Sequence, residues 1–358
     1  MPMQSNKIFY EGQKIYIGID VHSRQWHVYA SPINKIGMRP VCMPPKAEAL
    51  LAYLQKNFPG GTYISAYESG YCGFIYHRQL NSLGIENYIF NAADLKRSGK
   101  ELLRKTDAVD CKMIWENLIK NDVEPTYIPS EEEEAARQLI RTRESLVKDL
   151  RRVKQRIKMF HHKIAGCSKP EGFTSHWTKA FIEYLNILAD SLEGGNSIHL
   201  KTLLSNLVSL NQQIKDIEIE IFRVVSERHP EMSQLLLSVP GVGKLISAKL
   251  CLELMNFERF PDARKLAGYI GLVPDCHVSD KREVILGNSI RGNKILRRAV
   301  IEAAWTAVKK DPALGSAFSS ACAKGKKPNV AIISIARRLV NRIYFVYRTK
   351  SKYEICKK

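Results

Sequence analysis

The sequence predicts an α/β mixed-sheet domain, then a long-helical region with coiled-coil periodicity, then a mainly α-helical C-terminal domain. Three observations carry this. Short apolar runs bounded by Gly, Pro and Asn alternate with helical stretches as far as residue 125. From Pro129 onward apolar residues recur at alternating steps of three and four. Beyond Leu235 a glycine-rich turn separates short helices. A chain of 358 residues is longer than one hydrophobic core usually serves, and the divisions expected are 1–125, 126–230 and 231–350.

In chain order, residues 14–21 are an apolar run ending in an acid, and 25–31 and 40–44 are short strands set off by turn residues. A helix is expected over 47–58, a strand over 62–68, a helix over 73–83 and a strand over 87–91. Three strands first and helical crossovers afterwards make a mixed sheet. At Pro129 the composition changes. Ser130 with Glu133 is a capping box, and the acidic run 131–134 suits a helix N-terminus.

One seam in the helices that follow runs through Leu146, Leu150, Val153, Ile157, Phe160 and Ile164, and a second through Leu203, Leu207, Leu210, Ile214, Ile217, Ile221 and Val224. Between them, 166–172 and 194–196 mark turns around a helical stretch holding Trp177, Phe181 and Leu185. The seams fit either an antiparallel hairpin within the chain or a dimerisation arm.

Hydrophobic residues at 45% and charged residues at 25% describe a folded chain rather than a disordered one. Fifty-five Lys and Arg against 36 Asp and Glu leave a net charge of +19, whose natural partner is a polyanion, most commonly nucleic acid. No apolar run approaches the roughly 18 residues of a membrane span, and 1–13 has no apolar core of a signal peptide. The eight cysteines are scattered, without zinc spacing or a disulfide framework, so a cytoplasmic protein with reduced, mostly buried thiols is expected.

Asp20 and Glu68 each end a strand, while Asp107 and Asp110 sit three apart at a helix start and so share one face. Four carboxylates can thus converge at the carboxyl edge of one sheet, where their oxygens suit Mg²⁺ or Mn²⁺ and two ions can clamp a phosphoryl transfer. Taken singly, each acid also fits a cap or a turn.

Pro240-Gly-Val-Gly243, followed by Lys244, is a tight turn before a helix expected over 245–255. It looks like a helix-hairpin-helix that grips a DNA backbone, though such a turn can also simply join two packed helices. Further on, Ser279 lies in a polar loop flanked by Arg282, Arg291, Arg297 and Arg298, before a helix expected over 294–309. A serine there is either an ordinary loop residue or a hydroxyl nucleophile among phosphate-holding cations.

The ordered set Ile17-Gly-Ile-Asp20, Glu68-Ser-Gly, Asp107-Ala-Val-Asp110, Ser238-Val-Pro-Gly-Val-Gly243, Ala267-Gly-Tyr-Ile-Gly-Leu-Val-Pro274 and Gly292-Asn-Lys-Ile-Leu-Arg297 resembles the insertion-sequence-110 family of transposases, relatives of Piv-type DNA invertases. The resemblance spans nearly the whole chain. It implies a RuvC-like (RNase H-like) domain of DEDD type, a coiled-coil region and a C-terminal transposase domain, with the acids on Asp20, Glu68, Asp107 and Asp110. The family's serine, five residues after the proline of Gly-Leu-x-Pro, falls on Ser279, with Ser289 the nearest rival. His277 and Asp280 stand where the family often has tyrosine and glycine.

The resemblance further implies recombination through a phosphoserine link to DNA, Mg²⁺ or Mn²⁺ as cofactor, and action as a dimer or a tetramer of two dimers. A noncoding bridge RNA that pairs with target and donor DNA is implied by the resemblance alone. The rival functions are a RuvC-like nuclease using metal-activated water and a non-catalytic nucleic-acid scaffold.

Overall fold

The computed structural model describes residues 9–34, 38–95, 106–167, 169–173, 175–279, 282–288 and 292–355, and over 274–288 the description is of the backbone. The chain forms two compact units, Met1–Ile128 and Pro129–Lys358.

The first unit is built on a five-stranded sheet of order β3-β2-β1-β4-β5: β1 Lys14–Val21, β2 Trp26–Pro32, β3 Val41–Met43, β4 Thr62–Glu68 and β5 Glu86–Phe90. β1 pairs antiparallel with β2 and parallel with β4, so the sheet is mixed. Helices α1 (Ala47–Asn57) and α2 (Ile75–Ser82) cover one face, where Leu50, Leu54 and Leu80 pack on Ile15, Ile17, Ile19 and Tyr67. Helix α3 (Asp107–Lys120) covers the other, where Met113, Ile114 and Leu118 pack on Ile64 and Ala66, and Cys111 and Trp115 on Tyr29. Because β1 is covered on both sides, its residues are apolar nearly throughout rather than alternating.

Gly18 sets how closely α3 approaches. A Cβ there would collide with the Cys111 carbonyl oxygen and stand 2.6 Å from the Trp115 nitrogen. The Trp115 indole N–H also donates to the Ser31 carbonyl at 3.3 Å, which ties α3 to β2.

The second unit opens with α4 (Glu131–Ala165), and both bonds of its capping box form: Glu133 N–H donates to Ser130 Oγ and Ser130 N–H to the Glu133 carboxylate. α4 lies antiparallel to α6 (Gly194–Arg228), with Ala136 and Ile140 against Ile221 and Val225 at one end, and Val153 and Ile157 against Leu203 and Leu207 at the other. The two seams therefore meet within the chain. Leu146, Leu210, Ile214 and Ile217 are only half-buried there.

α5 (Lys179–Ser191) packs Phe181 and Leu185 into the second of these clusters. Two details differ from the sequence expectation. Trp177 precedes α5 with φ +69°, because Thr178 caps the helix, and 194–196 form the first turn of α6 rather than a turn before it.

The remaining helices are α7 (Pro230–Leu237), α8 (Lys244–Leu254), α9 (Ala263–Ile270), α10 (Lys294–Lys310), α11 (Pro312–Ala323) and α12 (Pro328–Thr349), with the hairpin β6 (Pro274–Ser279) and β7 (Arg282–Asn288) between α9 and α10. Their core is formed by residues such as Leu250, Leu254, Val300, Ala303, Ile335, Leu339 and Ile343. Ala248 and Leu252 of α8 pack on Ile140, Ile221 and Val225, which joins the long helices to this bundle. Of the described cysteines, Cys111 and Cys251 are buried, whereas Cys42 is exposed and Cys72, Cys167 and Cys322 are half-buried, fewer buried thiols than expected.

Candidate active site

The acids gather where the sheet geometry requires. Asp20 lies two residues beyond Gly18 on β1, so both face α3, about 7 Å apart along the strand. Asp107 precedes Cys111 by four residues, about one helical turn. Seating Cys111 on Gly18 therefore brings Asp107 over Asp20. Asp110 is one turn along the same face of α3, close enough to act electrostatically on Asp20. Glu68 follows Tyr67, the parallel partner of Ile19, so it ends β4 level with Asp20 and on the same face.

Two histidines complete the cluster. His27 is the cross-strand partner of Asp20, and its Nε2 lies 3.3 Å from Asp107 Oδ2 and 3.0 Å from Gln25 Nε2. His22, just past the end of β1, has its Nε2 3.1 Å from Asp20 Oδ2 and 3.7 Å from Asp107 Oδ1. Sequence reasoning passed over both. The one available signal was that His22 and His27 follow Asp20 by two and seven residues, on the two arms of the β1–β2 turn.

Burial pushes the Asp20 carboxyl above its ordinary value; His22 opposes this, and the neighbouring Asp107 and Asp110 charges reinforce it. Carboxylates pressed together under a helix suit a divalent cation: Asp20, His22 and Asp107 offer ligand atoms all within 4.8 Å of one another. The donors present therefore fit a metal site.

Ser279 belongs to the second unit, at the end of β6, where its backbone pairs with Arg282 of β7. The chain before β6 and the chain before α10 approach closely. Gly292, at φ +107°, sits so close to Gly271 that a Cβ would stand 2.6 Å from the Gly271 Cα. Asn293 N–H donates to the Tyr269 carbonyl at 2.8 Å, its Oδ1 caps α10, and its Nδ2 donates to Glu253 Oε2 at 2.7 Å. The guanidinium of Arg337 donates to the Leu272 carbonyl and that of Arg297 to the Ile270 carbonyl. The segment that leaves α9 and the segment that enters α10 are thus held together. Ser289 and Arg291 lie outside the described residues.

The turn 240–244 divides its residues. Pro240 is buried, and Gly241, at φ +84°, abuts α10, where a Cβ would collide with the Ala303 carbonyl; Gly243 and Lys244 are exposed at the start of α8. Arg298 pairs with Glu144 Oε2 at 3.2 Å. Glu144 is buried among Lys249 at 2.8 Å and Arg143 at 3.1 Å, and Arg143 also reaches Glu218 at 2.7 Å. Arg297 and Arg298 thus already serve the protein, while Gly243 and Lys244 remain open to solvent.

Comparison with known proteins bears on both units. Residues 17–161 match the model of DEDD-type IS110 transposases, and residues 233–319 match that of the transposase IS116/IS110/IS902 family. The chain belongs to the IS110 family of transposases. Within that family it is 28% identical over 240 residues to the transposase for insertion sequence element IS1111A of Coxiella burnetii, covering 65% of this chain and 63% of the relative. It is 22% identical over 352 residues to the transposase for IS1533 of Leptospira borgpetersenii, covering 94% and 96%. An IS110 protein of Streptomyces coelicolor is 30% identical over 168 residues, covering 45% of this chain and 39% of the relative. The chain thus spans less than two thirds of the Streptomyces and Coxiella relatives. Among the described residues no helix is long and apolar enough to cross a membrane.

Proposed function

We propose that this family member is an active transposase in the cytoplasm that cuts and rejoins DNA through a phosphoserine link. The acids Asp20, Glu68, Asp107 and Asp110 act as its metal-holding set and Ser279 as its nucleophile. The observation that carries this is the meeting of Asp20, Asp107 and Asp110, level with Glu68, at one sheet edge beneath a helix seated on Gly18.

Divalent ions, Mg²⁺ or Mn²⁺, supply charge neutralisation and polarisation of the phosphate oxygens there. Ser279 Oγ attacks phosphorus, forming a new P–O bond while the bond to the departing sugar oxygen breaks; the serine proton is lost and the sugar oxygen gains one. Rejoining is the reverse, with a sugar hydroxyl of the new partner attacking and Ser279 leaving. A neutral serine is a weak nucleophile, so this chemistry requires Ser279 to be activated by a base or by a metal-held environment, in a protein acting as a dimer or a tetramer of two dimers.

Gly243 and Lys244 hold DNA backbone, helped by Pro240 and Gly241, which shape the turn. Arg291, Arg297 and Arg298 hold phosphates, the last two by exchanging part of their present contacts. Target and donor are chosen by a bound bridge RNA, as the family resemblance implies, and the net charge of +19 suits both polymers.

The test is to incubate protein, RNA from the element and DNA with Mg²⁺, then resolve the products under denaturing conditions. Protein covalently attached to DNA is expected. Free nicked ends without adduct would mean water-using nuclease chemistry, and uncut DNA a binding scaffold.

A further inference from the structure

The metal-holding role of the acids accounts for Asp20 and Asp107 but assigns nothing to the imidazole between them. We propose that His22 is a direct nitrogen ligand of the ion held by Asp20 and Asp107, and that it biases the site from Mg²⁺ toward a first-row transition ion such as Mn²⁺. This rests on the metal-holding function given above to Asp20 and Asp107.

Both contacts of His22 have the spacing of ligands on one ion. With metal–ligand bonds of about 2.0–2.1 Å, adjacent ligands of an octahedral ion lie about 3 Å apart and opposite ones about 4 Å. His22 Nε2 lies 3.1 Å from Asp20 Oδ2 and 3.7 Å from Asp107 Oδ1, within that range for both. The three donors come from the end of β1 with the residue just past it and from the start of α3, so one ion would tie two segments distant in sequence together.

The carboxylate of Asp107 divides its work in the same sense. Oδ1 faces His22, and Oδ2 faces His27 at 3.3 Å. An ion would take Oδ1, leaving Oδ2 against the His27 ring, whose contact limits the carboxylate's rotation behind the metal ligand. His27 is therefore a positioning residue. Its side chain is 19% exposed against 49% for His22, the more accessible ring being the one placed to meet an ion.

Mg²⁺ prefers oxygen donors and gives up water reluctantly, whereas an imidazole nitrogen strengthens binding along the first-row series. A mixed nitrogen and oxygen set therefore separates this site from one built only of carboxylates.

The test loads the full chain, stripped of metal, with one equivalent of Mn²⁺ and records pulsed electron paramagnetic resonance for nitrogen coupling. The expected result is nitrogen modulation in the wild type that disappears in His22→Ala and persists in His27→Ala. The Mg²⁺ excess needed to displace Mn²⁺ should fall by about tenfold or more in His22→Ala. His22 is half exposed, so the variant should melt as the wild type does when metal-free.

Bound Mn²⁺ without nitrogen modulation, or modulation that survives in His22→Ala, overturns the proposal while leaving the acids as metal ligands. Mn²⁺ that does not bind the wild type at all overturns the metal-holding function itself, and the proposal with it.

Discussion

Gly18 of β1 lies directly beneath the carbonyl of Cys111 in α3, and no side chain fits between them. This contact fixes where the first turn of α3 falls on the sheet, and therefore whether Asp107 meets Asp20. Gly18→Ala should force α3 outward, at an overpacking cost of about 1–3 kcal/mol or more because the obstruction is backbone. A lowered melting temperature together with weakened Mn²⁺ binding is expected; unchanged values for both would show that α3 is not registered by this glycine.

The carboxylates themselves are tested by Asp20→Asn and Asp107→Asn. Each keeps the side-chain shape while removing a charge that the ions need, so strand cleavage should vanish with the fold intact. EDTA should abolish wild-type cleavage in the same way. Full cleavage by either variant would remove that acid from the metal set.

Much of this was legible in the chain. The strand 14–21 and the capping box at Ser130 were readable because apolar runs, turn residues and cap spacing are local signals. His22 and His27 were not, because their value depends on the β1–β2 register, which sets His27 opposite Asp20. Gly241 was readable as part of a tight turn, but sequence does not say what its missing side chain would strike. Here that is helix α10. Arg298 looked like a free cation because its partner, Glu144, lies 154 positions away.

Glu144 supports a further prediction. Burial pushes its carboxyl up, but Lys249, Arg143 and Arg298 together outweigh burial and hold it below its ordinary value of 4.5. A folded-state value below the unfolded one gives stability that is present above about pH 4.5 and is lost as the pH falls through the depressed value. Glu144→Ala should strip Lys249, only 5% exposed, of its nearest acid, at a cost of about 3–5 kcal/mol. Denaturant melts near neutral pH should show that loss, and the gap between variant and wild type should narrow on acidification. Adding Lys249→Met should recover part of it. A gap independent of pH would mean that the loss reflects packing rather than charge.

Nucleic-acid affinity should fall steeply with salt, by about 0.9 in log–log slope for each phosphate neutralised on B-DNA. Lys244→Ala should shallow that slope by about one contact across all sequences tested, since Lys244 is exposed at the start of α8 and backbone contacts carry no sequence information. An unchanged slope would place the DNA elsewhere on the protein.

The last prediction separates serine chemistry from hydrolysis. Ser279 ends β6 and pairs with Arg282, in the stretch between α9 and α10, whose ends are held together by Gly271, Gly292 and Asn293. A nucleophile must be held to within a fraction of an ångström of its productive position. Ser279→Ala removes only a hydroxyl, so DNA and RNA binding should persist while covalent adducts and recombinants disappear. Ser289→Ala should keep at least part of the recombination. Asn293→Ala deletes the bond to Glu253 and the cap of α10 without touching either serine, and it should lower adduct yield while leaving DNA affinity unchanged. Adducts that survive in Ser279→Ala but vanish in Ser289→Ala would move the nucleophile to Ser289; free nicks from both variants would assign cleavage to water activated at the acids of the first unit.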